Sequence, residues 1–329
     1  MRLLSGGGAF TRQNISDIND NFASVLPFTP GNLIYLQPSS SNTQAADGSI
    51  QKPYTDLPTA YSAARNGMND VIILVGNGAA SGTARLSAAF TWAKDSTHLI
   101  GIDSPVLISQ RARIAPTSGV TAFANFFTVS GNGCLFQNIQ WFQGFTTGTT
   151  SEICMTVTGG RNVFKNCQIA GMGEAAGAQS TGSRHLKVST TGENVFEDCT
   201  IGQDTVTRTV ANASVEFAGG TPRNIFRRCY FPVYGSSAGV LVILGTGASC
   251  VDRFNEFHDC VFVNAIKSGS TGLTAVGSFT SASPGGLVIF KDCASIGATK
   301  FGDTNFLANS YIDMAAVSDS AGGLGVNPS

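Results

Sequence analysis

The chain has 329 residues, of which 12% are charged, and a formal net charge of −1. That balance offers no electrostatic case for nucleic acid or an acidic membrane surface. There is no apolar run long enough to span a bilayer and no charged-then-apolar leader, so neither a membrane span nor a secretory signal is expected.

The chain opens with Met1-Arg2-Leu3-Leu4 and passes directly to Gly6-Gly7-Gly8. Residues 1–14 read as a glycine- and serine-containing arm. Ser16 is placed to cap a short helix with Ile15, Ile18, Phe22 and Leu26 on one face; the alternative is a loosely ordered linker. Pro27, Pro30 and Gly31 end this segment. Ile18 and Phe22 are the residues by which such an arm would dock on another protein, unless it folds back on its own chain.

Leu33-Ile34-Tyr35-Leu36 reads as a strand. Asp47-Gly48-Ser49-Ile50-Gln51-Lys52-Pro53-Tyr54 follows, then a helix through Tyr61, Ala63 and Ala64 that Gly67 ends. Val71-Ile72-Ile73-Leu74-Val75 is a buried strand.

Further along, one phrase recurs. It reads Asn162-Val163-Phe164-Lys165-Asn166-Cys167-Gln168-Ile169. It returns as Asn194-Val195-Phe196-Glu197-Asp198-Cys199-Thr200-Ile201, Asn224-Ile225-Phe226-Arg227-Arg228-Cys229-Tyr230-Phe231 and Asn255-Glu256-Phe257-His258-Asp259-Cys260-Val261-Phe262. A weaker copy spans Val288 to Ile296. The cysteines are 32, 30, 31 and 33 residues apart. A fixed period of this kind marks a solenoid rather than a sandwich. Cys-x-Ile or Cys-x-Phe puts two apolar side chains on one strand face. The Phe three positions before the Cys can share that interior only if the chain bends between them. The intervening pair is polar and rich in Asn and Asp, which tolerate a left-handed corner. Each unit is therefore strand, corner, strand, and stacked units make a parallel β-helix with adjacent coils ~4.8 Å apart. Residues 134–141 read as an earlier coil, with Ile139 in the cysteine's place.

The chain has eight cysteines. Five occupy one repeat position and would stack as neighbours on parallel strands, farther apart than the ~3.8 Å Cβ–Cβ distance of a disulfide. Buried free thiols are expected, which suits synthesis in a reducing cytoplasm. Residues 301–329 lose the repeat and end in small and polar residues, either a disordered tail or an arm that orders on a neighbouring subunit.

These elements carry a resemblance. The order strand, Asp-Gly-Ser with a nearby Lys-Pro, short alanine-rich helix, then Val/Ile run resembles the entry and cap of pectate-lyase-like right-handed parallel β-helices. Such caps are common in phage tailspikes and related virion proteins, and there the helix plugs the open end of the first coil. The cap likeness covers about residues 33–78 and the repeat likeness about 98–296. More narrowly, the arm with Phe10-Thr11-Arg12-Gln13-Asn14-Ile15-Ser16-Asp17-Ile18, the cap, and Ser109-Gln110-Arg111-Ala112-Arg113-Ile114-Ala115 are similar to β-helical structural proteins found among phage head genes. The expected fold is all-β: a single-stranded right-handed parallel β-helix. Residues 1–32 would be the arm with its short helix, 33–78 the entry and capping helix, 79–300 the coils and 301–329 a C-terminal extension.

Polysaccharide-cutting β-helices need paired carboxylates, or acidic clusters for calcium with a basic residue. Asp198, Asp259 and Asp292 share one corner position with Asn166 and Arg228, and read as corner residues. Glu193, Asp204 and Glu216 are scattered in variable loops, where Asp204 and Arg208 could pair. Arg111 and Arg113 alternate on one strand face, suited to subunit salt bridges more than to an acidic sugar. His98, His185 and His258 sit at unrelated places, and His258 reads as a solvated corner. Arg184-His185-Leu186-Lys187 is too short a basic cluster for nucleic acid. Trp92, Trp141 and Tyr230 are the aromatics whose facing the pattern leaves open. No catalytic, cofactor or metal residue is assigned. The missing carboxylate constellation points to a non-enzymatic protein, and the resemblance implies a phage virion protein that is assembled in the host cytoplasm. It would decorate or cement the capsid as a homotrimer on the major capsid protein. The alternatives are a tailspike-type glycan-binding or glycan-cleaving protein, and a polysaccharide lyase or hydrolase.

Overall fold

The computed structural model describes residues 31–104, 106–109, 112–119, 123–144, 151–264 and 271–313. Three parallel sheets enclose one core, with ten strands in the first and eight in each of the others. The chain visits them in rotation. Val163–Lys165 belongs to the first sheet, Gln168–Ala170 to the second and Arg184–Ser189 to the third, and Val195–Glu197 then returns to the first, one strand along. Like residues pair with like from coil to coil, as in Phe164 with Phe196, Ile169 with Ile201 and Leu186 with Val215. The architecture is the single-stranded right-handed parallel β-helix.

The corner between first and second sheets is set by one residue per coil. Asn138, Asn166, Asp198, Arg228, Asp259 and Asp292 have φ of 57°, 49°, 55°, 49°, 52° and 51°. A single left-handed residue resets the alternation of side chains, so Phe164 and Cys167 both point inward and are fully buried. Asn and Asp adopt this conformation at low cost. Arg228 does not, and its guanidinium forks onto Asp198 at the neighbouring corner.

Three interior ladders follow from the register. Phe136, Phe164, Phe196, Phe226, Phe257 and Phe290 stack with centroids 4.8, 4.6, 4.7, 4.5 and 5.0 Å apart. The cysteine thiols each donate to the phenylalanine carbonyl of the preceding coil, for example Cys199 Sγ to Phe164 O at 3.3 Å and Cys229 Sγ to Phe196 O at 3.3 Å. All eight cysteines are free and buried. The third ladder is asparagine. Asn162, Asn194, Asn224 and Asn255 are fully buried. Each of the last three accepts, through Oδ1, the backbone N–H of its predecessor, at 3.0, 3.2 and 2.9 Å.

The N-terminal end is closed by helix Leu57–Ala63, capped by Asp56 Oδ1 accepting Thr59 N at 2.8 Å, with Pro58 in its first turn. It buries Leu57 and Ala60 on the first coil. The Tyr61 ring lies 4.6 Å from that of Trp92, and its hydroxyl accepts Ala93 N and Lys94 N at 2.7 and 2.6 Å. Asp70, fully buried, gathers Asn32 N, Arg65 N and the Arg65 guanidinium. At the other end, the Phe306 ring on helix Thr304–Ala308 packs 4.9 Å from Phe279, over Gly277 and Gly302, where a Cβ would strike it at 2.4 Å. The final strand Ser310–Asp313 then pairs with the first sheet. Beyond the last Phe–Cys phrase the chain still adds Ala298–Gly302 to the third sheet and Ser310–Asp313 to the first.

Candidate functional surface

The interior is saturated with apolar and amide ladders, so any recognition or chemistry belongs to the outer corners and faces. Charged side chains gather in three columns, two on exposed corners and a third, largely buried, on the third sheet.

The first column lies on the corner between first and second sheets. Arg228 bonds Asp198 Oδ1 at 2.7 Å and Glu197 Oε1 at 2.6 Å, and Lys165 lies 3.7 Å from Glu197. Asp198 and Glu197 hold the Arg228 guanidinium well above its ordinary range. Asp198, Asp259, Asp292, Asn166 and Arg228 are corner residues, as the repeat indicated. Asp259 and Asp292 are exposed. His258 does not stand free in solvent: its Nε2 lies 2.5 Å from Glu256 on the same strand, and the ring is 25% exposed.

The second column follows the corner between third and first sheets. Glu193 is clamped by Arg223 and by Arg161 at 2.9 Å. The bond from Arg223, then that from Arg161, keeps its carboxyl below the usual range. These three residues line a shallow groove of about 250 Å3 with Asn132, Thr191 and Pro222.

The third column is on the third sheet. Glu216 takes Arg184 Nε at 2.7 Å, Lys187 Nζ at 3.1 Å and Thr246 Oγ1 at 2.7 Å. Burial works against its charge, but the Thr246 bond and the two cations outweigh it and hold the carboxyl low. The run 184–187, which reads as a small basic cluster, is therefore not one surface patch. Arg184 and Lys187 converge on a single carboxylate, and His185 is fully buried, its Nδ1 accepting Gly171 N at 2.9 Å. Burial, then the charge of Arg208, keeps His185 neutral. Arg208 is buried as well. It donates to Asn212 Oδ1 at 2.6 Å, Ser214 Oγ at 3.0 Å and Leu241 O at 2.8 Å, so its partners are neutral and the pairing expected with Asp204 is replaced.

Trp92 and Trp141 are fully buried and Tyr230 is half-buried. Arg113 donates to Thr83 Oγ1 at 3.1 Å and lies 5.9 Å over the Phe142 ring. Arg111, Ile18 and Phe22 lie outside the described residues. Residues 106–109 cross the outer face of the second sheet, where Ser109 N meets Gln168 Oε1 at 2.7 Å and Leu107 O accepts Thr200 Oγ1 at 2.6 Å. Val106 and Leu107 are left 48% and 58% exposed. Among the described residues no group of His, Cys, Asp and Glu has metal-holding geometry, and no helix is long and apolar enough to cross a membrane. One large aromatic that the repeat did not flag, Tyr311, is 58% exposed at the C-terminal end.

No family model and no curated protein matches this chain. Solved structures do. A pectin methylesterase in complex with a hexasaccharide superposes with a TM-score of 0.55 at 15% identity, over 88% of this chain and 92% of that one. A pectate lyase, Pel9A, superposes with a TM-score of 0.55 at 13% identity, over 85% and 67%. A chain described as Geobacillus virus E2 ORF18 superposes more loosely, with a TM-score of 0.45 at 12% identity over 89% and 54%. At these identities the likeness to the first two establishes the pectate-lyase-like β-helix fold and nothing of the activity.

Proposed function

We propose that this chain is a non-enzymatic structural protein of a phage virion that docks on the capsid and decorates or cements it as a homotrimer. The observation that carries this reading is that four of the carboxylates on the coils are paired with cations. Glu193, Glu197, Asp198 and Glu216 are each spanned by one or two cations. Cutting a glycosidic bond by acid–base chemistry needs two carboxyl groups about 5–9 Å apart, one of them able to carry a proton near neutral pH. The cations beside Glu193 and Glu216 push the other way, toward permanent charge.

Salt-bridged columns on the flanks of a rigid rod suit a scaffold. The arm-and-cap likeness to β-helical proteins of phage heads supports the location, and the major capsid protein is the partner it implies. Within the arm, Ile18 and Phe22 are the anchors.

The test uses the full chain and capsids purified from a phage lacking it. Stoichiometric co-sedimentation is expected. Incubation with methylated pectin and with polygalacturonate should release neither methanol nor unsaturated ends. Turnover of either polymer, with no capsid binding, would replace this reading with an enzymatic one.

A further inference from the structure

Where the chain turns from the third sheet back to the first, successive corners leave a trough along the solenoid. In the middle coils that trough is filled by the ion pairs of Arg161, Glu193 and Arg223. At the C-terminal end the same corner is built from residues 282–287 and 308–311, and its chemistry changes. The trough there is about 560 Å3, and all ten of its lining residues are uncharged. That volume is within the ordinary range for small-molecule sites.

The floor is backbone. Gly285 has φ of +90°, and a Cβ on Gly286 would lie 2.3 Å from Arg253 O, so no side chain can stand on it. The walls are an aromatic and an aliphatic: Tyr311 is 58% exposed and Leu287 40%. Tyr311 sits beside Ile289 in register, on the outward-facing side of the last strand, whereas Phe290 pairs inward with Ile312. Ser283 and Asn309 also line the trough. Asn309 Nδ2 donates to Asn305 O at 2.8 Å, which leaves its Oδ1 as an acceptor, whereas Ser310 shares the inward side of the strand with Ile312 and donates to Phe306 O at 2.6 Å.

An exposed ring, hydrogen-bond acceptors and a glycine floor select among ligands. A phosphate or carboxylate would lose its hydration without gaining a cation. A helix or apolar peptide needs a row of apolar pockets, and here two apolar walls share the trough with polar groups. A sugar presents an apolar ring face to stack on an aromatic and hydroxyl donors around its edge. We propose that this trough binds a neutral saccharide, with Tyr311 as the stacking platform and Asn309 receiving its hydroxyls. The site is independent of where the protein docks, and it requires no bond cleavage.

The test is saturation-transfer NMR on the full chain with a fixed panel: maltohexaose, cellohexaose, mannohexaose and N-acetylchitohexaose, with trigalacturonate as the acidic control. At least one neutral member should bind saturably and the control should not. Tyr311→Ala should weaken that binding at least roughly tenfold, and Tyr311→Phe, which keeps the ring, should stay within about threefold. Thermal unfolding of Tyr311→Ala should match the parent, since the ring is mostly in solvent. If it does not, Leu287→Arg, which narrows the trough from the opposite wall, must abolish binding in a folded protein. Capsid co-sedimentation should be unchanged in each variant, so loss of this site and loss of the docking role are separable. Absence of transfer to every neutral member overturns the proposal. So does binding that survives both Tyr311→Ala and Leu287→Arg, or preferential binding of trigalacturonate.

Discussion

Asn194 donates its side-chain amide to Asn224 Oδ1 at 3.0 Å, one coil along, and the same oxygen takes the Asn194 backbone N–H at 3.2 Å. Asn224 repeats the arrangement on Asn255, at 3.0 and 2.9 Å. At this corner the backbone turns inside the protein, where the ladder cannot satisfy every N–H, and the asparagine side chains complete it. Asn224→Ala should leave Asn194 N and Nδ2 without their acceptor in a dry interior, at a cost of roughly 3 kcal/mol. Chemical denaturation measures it. Lys165→Ala, on the exposed corner, should cost less than roughly 0.5 kcal/mol. Equal costs would mean that inside and outside have been misassigned.

The cysteine ladder gives a second expectation. Burial pushes the thiols up, Cys134 to about 11, and Cys167 and Cys229 rise for the same reason. Each also spends its proton on a carbonyl. In the native protein a thiol reagent at mildly alkaline pH should find the eight cysteines unreactive, and denaturant should expose all of them. Disulfide-linked peptides among Cys167, Cys199, Cys229, Cys260 and Cys293 in the native state would refute this register. Cys229→Asp should prevent soluble folding, because it puts an unpaired charge on the ladder.

Acid stability should depend on His98. It is buried, its Nδ1 accepts Leu135 N at 3.0 Å, and burial pulls its pKa down from 6.5 to about 4. The unfolded chain therefore binds more protons than the folded one between these values. The stabilisation is complete above pH 6.5 and is lost as pH falls toward about 4. Its ceiling is on the order of 3 kcal/mol. His185, also held neutral by burial, acts with the same sign. Unfolding free energy followed from pH 7 down to pH 4 should fall, and His98→Gln should make the fall shallower. A fall of undiminished steepness in that variant would assign the effect to other groups.

The phenylalanine stack should be the largest single contributor per coil. Phe226 lies between Phe196 at 4.7 Å and Phe257 at 4.5 Å. Phe226→Ala should cost about 3–5 kcal/mol, from lost transfer energy and an unfilled cavity. Equilibrium denaturation of the variant checks this; a loss below about 1 kcal/mol would mean that the stack closes over the gap.

Much of this architecture is legible in the sequence, because a solenoid repeats its local physics. Phe164, Asn166 and Cys167 announce inward, corner and inward, and five other coils say the same, including the one in which Ile139 replaces the cysteine. The capping helix follows from Asp56, Pro58 and its apolar face. What stays hidden depends on distant partners. The leading Asn of the four full copies is visible as a repeat, but its role appears only when Asn194 meets Asn224. Arg184 and Lys187 look alike as local charges until Glu216, in the next coil, collects both. Arg208 looks like a surface loop residue, and it is buried because Asn212, Ser214 and Leu241 O fill its donors. Tyr311 lies beyond the last copy of the phrase, where periodicity no longer tells inside from outside.

The most direct measurement of the central claim is the copy number of this chain on purified phage particles, by quantitative mass spectrometry against the major capsid protein. A docked capsid subunit should be present in a fixed ratio to the capsid protein, in multiples of three per site, and should remain through gradient purification. Absence from the particles, or only a few copies per particle as for a tail component, would contradict it.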